Sequence, residues 1–319
     1  MTRPEYKSLG KRNCPPRHQH MKKSIEGPLR TLRLPQLCRL GGDISSVLIV
    51  RQESPWNKYR PALLCDIAGE VIIATHRSNP SRLRAVREYP KADAERLIQR
   101  FGCLDHANIL SSRDCYIDAN SVYFFVEDLP LTLWNVVSSP DIYPTELELA
   151  AIMSQVSLIV SIFVDKLTDK ILDGLCYLSS FGLTHQSLSC GGILLGTNGR
   201  VKIACLDQCS ECSPTETYTI YANTIPRITM ALMQKHEKDV GIAGVNDLNQ
   251  WPVDSDAFGF LSAASTEPIE SLRKHPLVAA RNQPTEDLVM LARAVLCAWV
   301  SKSRRDVAPQ VSTKFGQGS

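Results

Sequence analysis

The residues whose types could do chemistry gather in two stretches of the chain. The first holds His185, Ser187, Ser189, Cys205, Asp207, Cys209 and Cys212. A serine hydroxyl such as that of Ser187 cannot act as a general base unless another base activates it, and none is adjacent. The neutral thiol of Cys205 is a poor ligand for magnesium, which prefers hard oxygens. Asp207, two residues later, reads as a turn or surface carboxylate. Cys209 and Cys212 form a lone CxxC, and a zinc site needs a second Cys or His pair at metal spacing, which is not near. The second stretch holds Gly69, Arg87 and Glu95: one glycine, one guanidinium and one carboxylate.

The elements that must position these groups change character along the chain. The run ALLCDIAGEVIIATHR, from 62 to 77, has a Gly turn between two apolar stretches and predicts a hairpin. LRAVREYP predicts a third strand ended by Pro90. Ala92 to Phe101 predicts a helix, with Leu97, Ile98 and Phe101 on one face. Cys115–Ile117 and Val122–Val126 predict a strand pair turned by Asp118, Ala119 and Asn120. After Leu129, helical patterns dominate: Pro144–Gln155, Ile171–Phe181, Ile225–Gln234 and Glu286–Val300. Strands followed by helices predict an α+β fold of two lobes, a small sheet lobe and a larger helical one.

Composition bounds the rest. The 319 residues are 44% hydrophobic, enough for a sizeable core. No apolar stretch reaches the roughly 18 residues of a membrane span, so no membrane partner is expected. No apolar signal region opens the chain. The 11 cysteines are scattered, which predicts free or buried thiols in a reducing cytoplasm or nucleus. Residues 1–40 carry ten Lys or Arg and two acids, a charge of +8, which leaves 26 basic and 31 acidic residues, or −5, for the rest. With Pro4, Pro15 and Pro16 and no periodic apolar pattern until Leu29, this tail is expected to lack a fixed fold. A nucleic-acid or nuclear-import segment is the sharper reading of the tail, and a solvated leader the plainer one.

The segment ILDGLCYLSSFGLTHQSLSCGGILLGTNGRVKIACLDQC, from 171 to 209, resembles the catalytic loop and metal-binding region of eukaryotic protein kinases. Gly174, Leu175, Tyr177 and Leu178 match the helix that leads in. Gly182, Leu183 and His185 match the approach to the loop. Leu188, Ile193, Leu194 and Leu195 match its apolar anchors, and Val201 to Ala204 the strand that follows. Weaker matches lie in the required order. They are AGEVIIA at 68–74 for the glycine-rich loop, RAVRE at 84–88 for the lysine strand, HANIL at 106–110, VYFFVEDLPLTLWNVV at 122–137 for the hinge, and ITMALMQK at 228–235 for the central helix. The resemblance spans roughly residues 60–300, and its type is that of degenerate kinase-like proteins of filamentous fungi.

The resemblance implies a bilobal kinase-like fold, with a small-lobe region at 41–128, a large-lobe region at 129–300 and a flexible tail at 301–319. It also implies that the chemistry is gone. The catalytic Asp falls on Ser187, the following Lys on Ser189, the magnesium-binding Asn on Gly192, and the metal-binding Asp on Cys205. The phosphate-gripping Lys falls on Arg87, which keeps the charge in a bulkier fork, and its expected partner is Glu95. Either the two form that pair, or they are an ordinary ion pair between elements. Only Gly69 remains of the glycine loop, with Asp66 beside it. The activation segment is short, the usual Asp of the central helix is replaced near Tyr221, and Pro226 should interrupt that helix's start. A vestigial nucleotide site would consist of Gly69, Arg87, Glu95 and the hinge Glu127–Leu129, with no magnesium site. The leading expectation is an inactive pseudokinase that binds protein partners. The alternatives are a weak kinase using Arg87, Glu95 and Asp207, and a nucleic-acid-associated protein working through residues 1–40.

Residues 156–170, VSLIVSIFVDKLTDK, have no kinase counterpart. Deleting them leaves one amphipathic helix with Ile152, Ile171, Leu175 and Leu178 on one face. Val156-Ser157 can be encoded by a splice-donor pattern, and Leu167-Thr168 and Lys170 by branch and acceptor patterns. The stretch therefore reads as retained intron, or else as a hydrophobic insertion that lengthens the helix.

Overall fold

A computed structural model describes residues 48–104, 106–157, 183–236, 244–267, 269–272, 274–279 and 284–307. The basic segment 1–40, most of the 156–170 insertion and the helix expected at 171–181 lie outside the described residues.

The first lobe is a six-stranded sheet: β1 (Ile49–Arg51), β2 (Tyr59–Asp66), β3 (Glu70–His76), β4 (Asn79–Pro90), β5 (Ser112–Ile117) and β6 (Ser121–Val126). The order is β1-β5-β6-β4-β3-β2. Every pairing is antiparallel except the added edge, where β1 runs parallel to β5. The expected hairpin is β2 and β3, paired from Tyr59–His76 to Asp66–Glu70. Its turn needs Ala68 at φ 53° and Gly69 at φ 94°. A left-handed alanine costs about 1 kcal/mol, so something outside the turn must hold it there. Helix α1 (Ala94–Cys103) covers the inner face of the sheet. Leu97 is fully buried, and Phe101 stacks on Phe124 with ring centroids 4.4 Å apart. The outer face carries its own aromatic layer of Tyr116, Tyr123 and Phe125, with Trp56 and Tyr59 packed against it. Arg51 lies over the Tyr116 ring and Arg84 over the Phe125 ring, and both guanidiniums pair with Asp114.

The second lobe opens with β7 (Leu131–Thr132) and the short α2 (Leu133–Val137), started by a Thr132/Asn135 capping box. Helix α3 (Glu146–Ser157) follows, with Leu149 to Met153 and Val156 fully buried. Two small ribbons frame the expected catalytic loop. Strands β9 (Ile193–Leu195) and β10 (Val201–Ile203) join β7, and β8 (Leu183–His185) pairs with β11 (Cys209–Glu211). Helix α4 (Pro214–Gln234) crosses the core behind them.

Two expectations about helices are corrected. Helix α4 begins at Pro214 and not near Ile225, because Ser213 and Glu216 cap it reciprocally and Pro214 occupies its first turn, where no N–H is required. Pro226 does not interrupt it. An interior proline costs about 3 kcal/mol. The burial of Ile225, Ile228, Ala231 and Leu232, each 2% exposed or less, outweighs that. Helices α5 (Asp256–Thr266), α6 (Ile269–Leu272), α7 (Pro276–Ala279) and α8 (Pro284–Asp287) lead to α9 (Val289–Val307). Helix α9 starts later and runs seven residues further than the spacing predicted, into the expected flexible tail, so residues 301–307 are helical. Leu291, Ala292 and Val295 bury its inner face.

Candidate nucleotide site

The lobes meet at a buried polar node. Asn108 donates through Nδ2 to the Val201 carbonyl at 2.9 Å and to Gln155 Oε1 at 3.4 Å. Gln155 Oε1 accepts from the Val201 N–H at 3.0 Å, and its Nε2 donates to the Gly199 carbonyl at 3.2 Å. The backbone adds Ile203 N–H to Asn108 O at 2.8 Å and Leu110 N–H to Ile203 O at 2.9 Å. Asn108, from HANIL, thus fastens the loop after α1 to β10.

The hinge residues lie beside this node. Leu129 is 6% exposed. Glu127 accepts from Lys202 Nζ at 2.8 Å, and the same ammonium donates to the Ile109 carbonyl at 3.2 Å. Lys202 is 3% exposed, so a buried cation sits behind the hinge. Sequence reasoning placed Lys202 in a strand and missed this role. The available signal was a charged residue between Val201 and Ile203 in an otherwise apolar strand.

Arg87 projects from β4 into the space under the β2–β3 turn and is 4% exposed. Its Nη1 donates to the Ala68 carbonyl at 2.7 Å and its Nη2 to the Ile67 carbonyl at 2.8 Å. Cys205 donates its thiol proton to the same Ala68 carbonyl, with sulfur 3.2 Å from oxygen. Gly69 suits the turn through its φ of 94°, since a Cβ there would make only an ordinary 3.5 Å contact with Arg87 Nη1. The structure therefore brings Gly69, Arg87 and Cys205 together. It does not bring in Glu95, which is exposed on α1 and makes no ion pair with Arg87. The guanidinium has two carbonyls within reach of its fork, and a carboxylate on the solvent side of α1 cannot compete with them.

The segment after Cys205 is held by α1 instead. Arg100 Nη1 donates to the Leu206 carbonyl at 2.8 Å and the Asp207 carbonyl at 3.3 Å, and Arg96 Nη1 to the Asp207 carbonyl at 3.0 Å. The Asp207 backbone is thus pinned in a 3-10 turn, Leu206–Gln208, and its carboxylate makes no ion pair among the described residues. Cys205 itself is left-handed at φ 57°. Burial pushes its thiol up to about 11, so the uncharged donor form is the one present at neutral pH.

The positions expected of a catalytic loop lie next to this segment in space and just before it in the chain. Ser187 is exposed and donates to Gln208 Oε1 at 2.5 Å. Ser189 caps the Cys190–Gly192 turn with its backbone, its carbonyl accepting from Gly192 N–H at 3.0 Å. A Cβ on Gly192 would meet Leu188 Cδ1 at 3.9 Å and His185 Nε2 at 4.0 Å, so a side chain has room there and none is present. His185 is fully buried, and its backbone N–H donates to the Tyr221 hydroxyl at 3.1 Å. Tyr221, in the position expected of the central helix's Asp, therefore reaches the loop as a neutral acceptor. Among the described residues neither His185 ring nitrogen has a hydrogen-bond partner. The Ala204 backbone lies close enough to favour the charged ring without reaching bonding geometry, and burial outweighs it and lowers the His185 pKa.

Only residues 206–213 separate Cys205 from α4, so no extended platform for a peptide substrate is built between them. Among the described residues no group of three or more His, Cys, Asp or Glu side chains is arranged to hold a metal ion, and no helix is long and apolar enough to cross a membrane.

No protein-family model matches the chain. Among curated proteins, it is 27% identical over 121 residues to a protein named Cyclin-dependent kinase F-3 from Oryza sativa subsp. japonica, which covers 38% of this chain and 24% of the rice protein. Among solved structures, the twitchin kinase region from C. elegans aligns with a TM-score of 0.57 at 15% identity, over 83% of this chain and 53% of that one. The chain thus spans about a quarter of the rice relative and about half of the twitchin chain. With its sheet lobe, hinge and helical lobe in this order, the chain has the bilobal protein-kinase-like fold.

Proposed function

We propose that this protein is a pseudokinase: a kinase-fold module that works by binding proteins and transfers no phosphate. The observation that carries the reading is the latch of Arg87 and Cys205 onto the Ile67 and Ala68 carbonyls. In a working site the loop over the nucleotide offers N–H groups and the lysine offers its charge to phosphates. Here the turn offers carbonyl oxygens, and Arg87 is already bound to them. Freeing Arg87 breaks two charge-assisted bonds, each worth about 1.5–3 kcal/mol. Beyond the latch, Ser187, Gly192 and Cys205 supply neither a base nor oxygen ligands for magnesium. Each lost transition-state interaction costs on the order of 10²–10³ in rate. The rice relative is named a kinase, but a likeness over a quarter of its length does not carry the activity to this chain. The scattered thiols favour a cytoplasmic or nuclear setting, with protein partners.

The test is purified protein with labelled ATP, magnesium or manganese, and generic substrates. Beside it runs the variant S187D/G192N/C205D. Neither protein is expected to turn over above a heat-killed control, and Mg-ATP is expected to leave the melting temperature unchanged. Turnover by the natural sequence well above that control sinks the reading.

A further inference from the structure

An open pocket of about 190 Å³ lies on the helical lobe where the N-terminal ends of α3 and α5 meet, lined by Tyr143, Pro144, Glu146, Trp251, Pro252 and neighbouring residues. Glu146 joins the two helices by accepting from the Ala257 N–H at 2.8 Å. Small-molecule sites run from roughly 300 Å³ upward, so this volume suits one or two side chains of a peptide. Four of the ten exposed large apolar side chains among the described residues lie at or close in sequence to its lining: Tyr143, Leu147, Leu248 and Val253, exposed by 39%, 55%, 49% and 61%. Such clustering marks an interaction surface. The flanking exposed side chains include four acids, Asp141, Asp247, Asp254 and Asp256, beside neutral ones such as Thr145, Asn249 and Gln250. The nearby cation Lys235 is turned inward, its Nζ bound to the Val136 and Ile142 carbonyls and 4.7 Å from the centre of the Tyr143 ring, which it helps to fix. Burial brings its pKa down to about 8, so it stays largely charged at neutral pH, but its ammonium is spent on those carbonyls.

We infer that this pocket is the docking site for the basic leader of the same chain, with the Pro15-Pro16-Arg17 step seated against Tyr143, Trp251 and Pro252. Charge complementarity selects this occupant: the leader carries +8 over residues 1–40 and the rest of the chain −5. A Pro-Pro-Arg step also suits an aromatic and proline-lined groove, which holds extended proline segments at low entropic cost. Chain length permits it. The residues from Arg17 to Leu48 span roughly 100 Å when extended, against a domain diameter of roughly 50 Å. Docking is independent of the nucleotide cleft, and it leaves the leader unavailable for nucleic acid while it is bound.

The experiment uses the full chain and a water-soluble carbodiimide, which joins lysine amines to carboxylates in contact. At low salt, links are expected from Lys7, Lys11, Lys22 or Lys23 to Asp141, Glu146, Asp254 or Asp256. In a mixture of isotopically heavy and light protein they should fall within single molecules. They should vanish near 1 M salt, where the screening length is about 3 Å. The exposed charge reversals Asp141→Lys and Asp254→Lys together should cut their yield about tenfold, as expected for two surface ion pairs. Pro252→Ser with Val253→Ser should cut it with every charge intact. Links spread evenly over other acidic residues, links only between molecules, or a yield indifferent to salt or to both pairs of substitutions each overturn the inference.

Discussion

Two buried polar regions lie close together at the lobe junction and differ in how they are satisfied. At the Asn108–Gln155–Val201 node the side-chain amides and the strand backbone bond one another across the two lobes. His185 is equally buried, yet among the described residues neither of its ring nitrogens finds a partner. The node serves folding, and nothing about it depends on a substrate. The histidine ends β8, just before Ser187, Ser189 and Gly192. The node packs the two lobes together, whereas the ring sits among side chains that give it no bond.

The largest expected effect comes from breaking the satisfied region. Gln155→Leu removes bonds to Val201, Gly199 and Asn108 and leaves buried partners unpaired. The loss should be about 3 kcal/mol, since each buried group left without a partner costs roughly 1–3 kcal/mol. Denaturant unfolding measures it, and a loss below half that size would make the node peripheral.

Next comes the latch. Arg87→Met keeps the apolar stem and removes both donors to the turn; the partly buried carbonyls of Ile67 and Ala68 regain water, so the net loss should be about 2 kcal/mol. Amide exchange at residues 67–70 should accelerate while α3 and α4 stay protected. Uniform acceleration would mean that Arg87 supports the whole lobe and not this turn.

The smallest effect is expected at the orphaned ring. His185→Leu replaces an unsatisfied polar group by an apolar one and should change stability by less than about 1 kcal/mol at pH 7.5, in either direction. Its signature is the pH dependence. Burial lowers the folded pKa of His185 from the ordinary 6.5, so the unfolded chain binds the proton more readily. Stability from the neutral ring is present above pH 6.5 and is lost as pH falls from there through the lowered folded pKa. The leucine variant should show a flatter stability profile below pH 6.5 than the natural protein. Parallel profiles would place the ring in contact with solvent or a partner group.

Much of this molecule was legible because apolar spacing survives when chemistry does not. The β2–β3 hairpin, the β5–β6 pair and the face of α1 follow from alternation and helical spacing alone. The strand Val201–Ile203 and the loop anchors Leu188 and Ile193 were readable because each must fill a fixed space in the core. The start of α4 was not, although its Ser213–Glu216 capping box is written in the sequence. The expectation that Pro226 breaks helices masked it.

What the sequence determined by itself is which residues stand where: Ser187, Gly192 and Cys205 are fixed by identity, and the reading of them as a site without base or metal ligands rests on the kinase resemblance. Tertiary structure decided what the remaining groups do. Arg87 and Glu95 share a plausible spacing, but a guanidinium goes to the acceptors nearest its fork, and those are set by how the left-handed Ala68–Gly69 turn folds over β4. The pairing of Lys202 with Glu127, 75 residues apart, is likewise invisible to any local pattern, because burial of an ammonium beside the hinge depends on how the two lobes close around it.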